Sequence, residues 1–207
     1  MKSFFFTIVF LTLSLFCSGA IYNLTEITEL SDPNLVESHP YIMDDELTIY
    51  CLCWSDPNLM YFVEASRATK SDPFSNITKA PFTNVNGILG YPWVSEDKLR
   101  LYFHHASLYE SYDLMETSRT LTTIPFNPPV KMPNISQEHI TDQRPRLANN
   151  ELTIYFQSNR DYPTSSRIYR STRLDINSDF PPPVLVSEIT SEYLLLDITN
   201  DDWEQYK

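Results

Sequence analysis

The chain has 207 residues and carries 15 basic against 27 acidic side chains, a formal net charge of −12. A surface of that sign repels phosphate backbones, which excludes nucleic acid and anionic membrane faces as partners. Only three glycines are present, Gly19, Gly87 and Gly90, and they complete no phosphate loop, dinucleotide fingerprint or nucleophile elbow.

The first twenty residues, MKSFFFTIVFLTLSLFCSGA, hold one lysine, an apolar stretch, small residues and no acid. This is the pattern of a secretory signal peptide (1–20), with Ser18 and Ala20 at the −3 and −1 positions of a cut after Ala20. The apolar stretch is short for a membrane span, so the expected location is secreted or periplasmic, with no membrane insertion once the leader is removed. Losing Lys2 leaves 14 basic against 27 acidic residues and a charge of −13.

Beyond the leader, one short phrase recurs. ELTIY stands at Glu46–Tyr50 and again at Glu151–Tyr155, with KLRLY at Lys98–Tyr102 between them. Pro40, Pro92 and Pro145 precede Tyr50, Tyr102 and Tyr155 by ten residues each. Arg67, Arg119 and Arg173 follow those tyrosines by 17 or 18, and Phe74, Phe126 and Phe180 lie seven beyond each arginine. Four markers in one order, three times, define an internal repeat of 52 or 53 residues.

Each unit reads as short strands and turns. The first runs HPYIM, a DD turn, ELTIYCLCW, a turn, MYFVEASR and then PFTNVN. The second runs YPWVS, an ED turn, KLRLYFHH, a turn, YDLMETSR and FNPPVKMPNI. The third runs RPRLA, an NN turn, ELTIYFQS, NRDYPTSS as a turn, RIYRSTR and PVLVSEI. Alternation around Leu152, Ile154 and Phe156 has the period of a strand, and apolar spacing of 3.6 is absent. Four antiparallel strands in about fifty residues is the arithmetic of a propeller blade.

The pattern P-x-x-(S/A)-x-(D/N)-x-LxIYF-x-S-x-R … IYxSTR resembles the TolB-type, WD-repeat-like β-propellers of bacterial envelope and exported proteins. The likeness runs from Leu24 to Tyr206. In that family the turn commonly ends SPDG; here it reads IMDDE, VSEDK and LANNE, without the glycine. The resemblance implies an all-β fold, and leaves activity open because such propellers serve many roles. The expected architecture for 21–207 is a partial β-propeller: three four-stranded blades at roughly 38–86, 90–136 and 142–190, an N-terminal strand in LTEITEL, and an incomplete C-terminal blade over 192–207. The last expectation rests on LLLDITNDDWEQY, which keeps register with RPRLANNELTIY. Open strand edges then invite self-association.

Candidate chemistry is sparse. His39, Tyr91 and Arg144 precede the three prolines at equivalent positions where blades converge; they either form one asymmetric ligand site or cap strand starts. Arg67, Arg119 and Arg173 are expected to be structural, each bridging carbonyls or a carboxylate at a blade edge. His104 and His105 are adjacent on one strand and face opposite ways, a poor arrangement for metal. Acids in DDE, SED and NDD suit calcium or plain polar turns. Cys51 and Cys53, two apart on one strand, are expected as buried free thiols rather than a bridge. Asn23, Asn76 and Asn134 begin glycosylation sequons. No catalytic residue, metal or cofactor is assigned. The reading that follows is an exported, non-enzymatic module binding a protein or glycan. The alternative is a fragment of a propeller enzyme, a glycan hydrolase or propeller-associated peptidase, whose catalytic part is missing.

Overall fold

A computed structural model describes residues 26–56, 59–80, 87–107, 110–148 and 150–189. The leader, the Asn23 sequon and the 192–207 segment lie outside the described residues. Three consecutive sheets hold four antiparallel strands each. The first comprises β1 (Val36–Ile42), β2 (Thr48–Trp54), β3 (Tyr61–Ser66) and β4 (Ser75–Lys79). The second comprises β5 (Ile88–Val94), β6 (Arg100–Ala106), β7 (Asp113–Ser118) and β8 (Val130–Lys131). The third comprises β9 (Asp142–Ala148), β10 (Thr153–Ser158), β11 (Arg167–Thr172) and β12 (Val184–Leu185). Within each sheet the strands pair in chain order, and the innermost strand β5 touches both β1 and β9. Meandering sheets that pack face to face with inner strands converging make a partial β-propeller.

Packing follows from alternation along each second strand. Tyr50 and Leu52 face the next blade, where they join Phe62 and Ala80 against Leu89, Leu101, Phe103 and Phe126. Tyr102 and Leu114 do the same against Leu147, Ile154, Phe156 and Phe180. These strands are buried on both faces, so β2 and β10 read as nearly continuous apolar runs. Burying each such side chain stabilises by about 1.5–3 kcal/mol. Cys51 and Cys53 are buried and free, their sulfurs 3.8 Å apart.

Fourth strands depart from the sequence reading. In the first blade the fourth strand is Ser75–Lys79, and PFTNVN lies outside the described residues. In the third, PVLVSEI contributes just two paired residues, after which the chain turns with Ile189 N–H donating to Val186 O. The reason is a plug: Val186 and Ile189 pack on Tyr155 and Ile168. Met132 and Ile135 occupy the same places after β8, buried against the third blade. In LTEITEL, Thr28–Leu30 is a 3-10 turn, with Ile27 and Leu30 packed on Ile49, Ala65 and Phe74 of the first blade. Ile27-x-x-Leu30 therefore stands where Met132-x-x-Ile135 and Val186-x-x-Ile189 stand. Leu24 and Thr25 lie outside the described residues.

The repeated arginines clamp the turns. Arg67 Nε donates to Glu46 O at 2.9 Å, Arg119 Nε to Lys98 O at 2.8 Å, and Arg173 Nε to Glu151 O at 3.0 Å. Each guanidinium also lies over the phenylalanine seven residues on, 4.5, 4.3 and 4.3 Å from Phe74, Phe126 and Phe180. Charge-assisted bonds and a cation over a ring face explain why both markers recur at fixed spacing.

Candidate functional site

Each inner strand carries one extra residue at its proline. Pairing slips between Ser38 and Tyr41 on β1, between Gly90 and Trp93 on β5, and opposite Tyr155 and Gln157 on β9. These are β-bulges, which bend a strand and re-aim its side chains. His39, Tyr91 and Arg144 are the bulged residues, at φ of 48°, 52° and 60°. Left-handed backbone costs a non-glycine residue about 1–2 kcal/mol, and a following proline restricts the residue further. Three equivalent positions hold this conformation.

The bulges bring the three residues together. The His39 and Tyr91 rings lie 4.0 Å apart, and the Arg144 guanidinium sits over Tyr91 at 4.4 Å. Behind them, His104 on β6 meets the edge of Tyr91 at 5.2 Å and lies tilted against Tyr112 at 4.6 Å. Gly90 makes room for it: a Cβ there would come within 2.5 Å of His104 Nε2. Burial, then Arg144 and Arg146, push His39 down to about 4. Burial also drives His104 to about 3, helped by His39, Arg144, His105 and Arg146. Both imidazoles are neutral at pH 7.

Two residues further along, the bulges set a second layer. Tyr41 and Trp93 have ring centroids 6.2 Å apart, and the Arg146 guanidinium lies 5.8 Å from the Tyr41 ring. Arg146 Nη1 donates to Pro145 O at 2.8 Å, and Tyr41 donates its hydroxyl to Val94 O at 3.3 Å. Both layers thus read aromatic, aromatic, arginine across the three blades. The second opens into a cavity of about 760 Å³ where the first turns of the blades meet, lined by Tyr41, Trp93, Asp45, Glu96, Asp97 and Arg100 among others. Arg100 spans it, bonded to both Glu151 oxygens at 2.6 and 2.7 Å and to Asp97 at 2.9 Å.

His39, Tyr91 and Arg144 are adjacent to one another but do not line this cavity. Tyr41, Trp93 and Arg146 escaped the sequence reading, although their constant offset of two residues from the pre-proline positions was a usable signal. Among the described residues, no group of three His, Cys, Asp or Glu is placed to hold a metal ion. Ser38 Oγ lies 3.0 Å from His39 Nδ1. Asp142, buried with its pKa raised chiefly by desolvation, pairs with Arg160 at 2.9 Å. Arg160 also donates to Ile135 O at 3.0 Å, tying the third blade to the second. Among the described residues, no helix is long and apolar enough to cross a membrane.

No family model matches the chain. No curated protein matches it. Similar solved structures include TolB from Acinetobacter baumannii, at 17% identity and a TM-score of 0.46 over 71% of this chain and 32% of that one. They also include a puromycin-hydrolyzing peptidase from Mycobacterium tuberculosis, at 13% identity and a TM-score of 0.46 over 73% of this chain and 23% of that one. The chain therefore spans less than a third of the length of either structure.

Proposed function

We propose that the chain is an exported, non-enzymatic β-propeller module that binds a protein or glycan where its inner strands converge. The observation that carries this reading is the pair of aromatic–aromatic–arginine layers beside a cavity of about 760 Å³. That volume falls in the usual range for ligand sites of about 300–1,000 Å³. Aromatic faces such as Tyr41 and Tyr91 suit sugar rings or peptide side chains, and the neighbouring carboxylates and guanidiniums suit their polar groups. Export is supported by the leader pattern of residues 1–20.

The Ser38–His39 contact favours the non-enzymatic reading. A general base works best with a pKa near the operating pH, whereas His39 sits near 4, held down by burial and by two guanidiniums. It is too weak a base to activate Ser38.

The test is a binding screen of residues 21–207 against cell-wall glycans and envelope proteins, repeated with Tyr41→Ala and Tyr91→Ala. We expect a ligand whose affinity falls about tenfold in each variant, the loss typical of a central aromatic contact. A ligand indifferent to both substitutions would place recognition elsewhere. Reproducible turnover by the purified protein would replace the binding reading with the enzyme one.

A further inference from the structure

The arginines described so far are committed to protein acceptors. Arg100 pairs with Glu151, Arg160 with Asp142, and Arg119 approaches Glu64 at 3.7 Å. Arg67 and Arg173 clamp turn carbonyls. Arg144 differs. It is half-buried and lies over the Tyr91 ring, yet its Nε is shut off from solvent with no hydrogen-bond partner among the described residues. Beside it His104 is 4% exposed, and its Nδ1 is likewise without a partner. Leaving such groups unsatisfied costs stability, more so for a charged one.

The local charge is unusual for this chain. With 27 acidic residues against 15 basic, a carboxylate would be the expected neighbour of any guanidinium. The groups acting electrostatically on His39 are instead Arg144 and Arg146, both cationic. Arg146 spends one arm on the Pro145 carbonyl at 2.8 Å, and both imidazoles are neutral. The layer thus presents one guanidinium fork with aromatic walls formed by Tyr91 and His39, all three half-buried.

We propose that the His39–Tyr91–Arg144 layer is a carboxylate-binding site, with the Arg144 guanidinium pairing with the ligand's carboxylate and the Tyr91 and His39 rings walling it. A single planar fork matches one carboxylate bidentately. A phosphate dianion would face a strongly acidic molecule with one uncommitted guanidinium to offset it, so a singly charged anion is the better fit. The proposal deepens the binding reading and rests on it. The carboxylate comes from a peptide C-terminus or from an acidic sugar.

The experiment uses residues 21–207 and two matched pairs of probes: trialanine against its C-terminal amide, and glucuronate against glucose. Titration calorimetry should show the acid of at least one pair binding about tenfold or more tighter than its neutral partner, the worth of one charge-assisted bond. Discrimination confined to trialanine assigns the carboxylate to a chain terminus; discrimination confined to glucuronate assigns it to an acidic sugar. Arg144→Asn keeps a residue tolerant of positive φ and should erase the discrimination. Arg144→Lys, which keeps charge without the fork, should retain part of it. Equal affinities within both pairs, no binding of either acid, or discrimination that survives Arg144→Asn would overturn the proposal. A neutral ligand from the screen that needs Tyr91 but ignores Arg144 would overturn it too, while leaving the binding module standing.

Discussion

At the scale of single residues, His104 and His39 show how burial sets chemistry. Both take part in ring contacts near the inner strands, and both are held neutral, near 3 and 4 respectively. In the unfolded chain each returns to about 6.5. Below that pH the unfolded state binds protons that the folded state refuses, so their contribution to stability is present above pH 6.5 and declines as pH falls toward 4. Each histidine contributes a slope of up to about 1.4 kcal/mol per pH unit. Glu116 and Asp142, raised chiefly by burial, act in the opposite sense. The histidine share is therefore read by difference. His104→Gln, which installs the residue found at the equivalent position 157, should remove up to about 1.4 kcal/mol per pH unit of the decline in stability between pH 6.5 and 5. Urea unfolding across that window measures it, and parallel curves for parent and variant would contradict the assignment.

At the scale of elements, the three first turns share one left-handed residue that their sequences disguise. Glu46, Lys98 and Glu151 have φ of 58°, 60° and 67°, at the place where the TolB-type turn carries glycine. The left-handed residue persists because the arginine clamp uses its carbonyl and the turn must reverse the chain within a few residues. Glu46 offers the cleanest test, since its ion pair with Lys70 joins two side chains more than half exposed and is worth at most about 1 kcal/mol. Glycine there relieves about 1–2 kcal/mol of strain and gives back about 0.5–1 in chain entropy. Glu46→Gly should therefore cost the fold no more than about 1 kcal/mol and gain it up to about 1.5, according to how much the ion pair contributes. Asp45→Gly should destabilise it, because Asp45 lies outside the left-handed region and accepts the Leu47 N–H at 2.8 Å. Denaturant midpoints that moved in the reverse order would refute the account of the turn.

At the scale of the molecule, blade contacts repeat a polar device as well as an apolar one. Tyr50 stands opposite Glu64 and Tyr102 opposite Glu116. Into these pairs the following blade sends an arginine: Arg119 approaches Glu64 at 3.7 Å, and Arg173 donates to the Tyr102 hydroxyl at 3.3 Å. In the third blade Tyr155 stands opposite Arg170. A second copy docking its first blade there in the same register would bring Arg67 toward Arg170, a like-charge contact. At micromolar concentration we expect residues 21–207 to be dimeric or larger, through pairing between blade edges. Arg170→Glu restores the acid of the other blades and should tighten association severalfold. Light scattering against concentration tests both statements: a sharp monomer mass for the parent would defeat the first, and unchanged association of the variant would defeat the in-register geometry.

Much of the fold was legible in the amino-acid order, because strand alternation and repeat spacing are local properties. The positions of Pro40, Tyr50, Arg67 and Phe74, with their two sets of equivalents, carried the all-β class and the repeat. The limits appear where a residue's role depends on a distant strand. Val184–Ile189 alternates like a strand, yet only two of its residues pair, since Val186 and Ile189 are drawn onto a neighbouring face. His39, Tyr91 and Arg144 could be named as equivalents from sequence, but their spacing is as compatible with strand caps as with a site. Register slippage at three bulges brings those side chains into one stack, and it places Tyr41 and Trp93 at a cavity two residues on. Bulges arise from pairing between strands, and convergence arises from packing between blades. Amino-acid order therefore determined the blade, and tertiary structure decided what the blades build together.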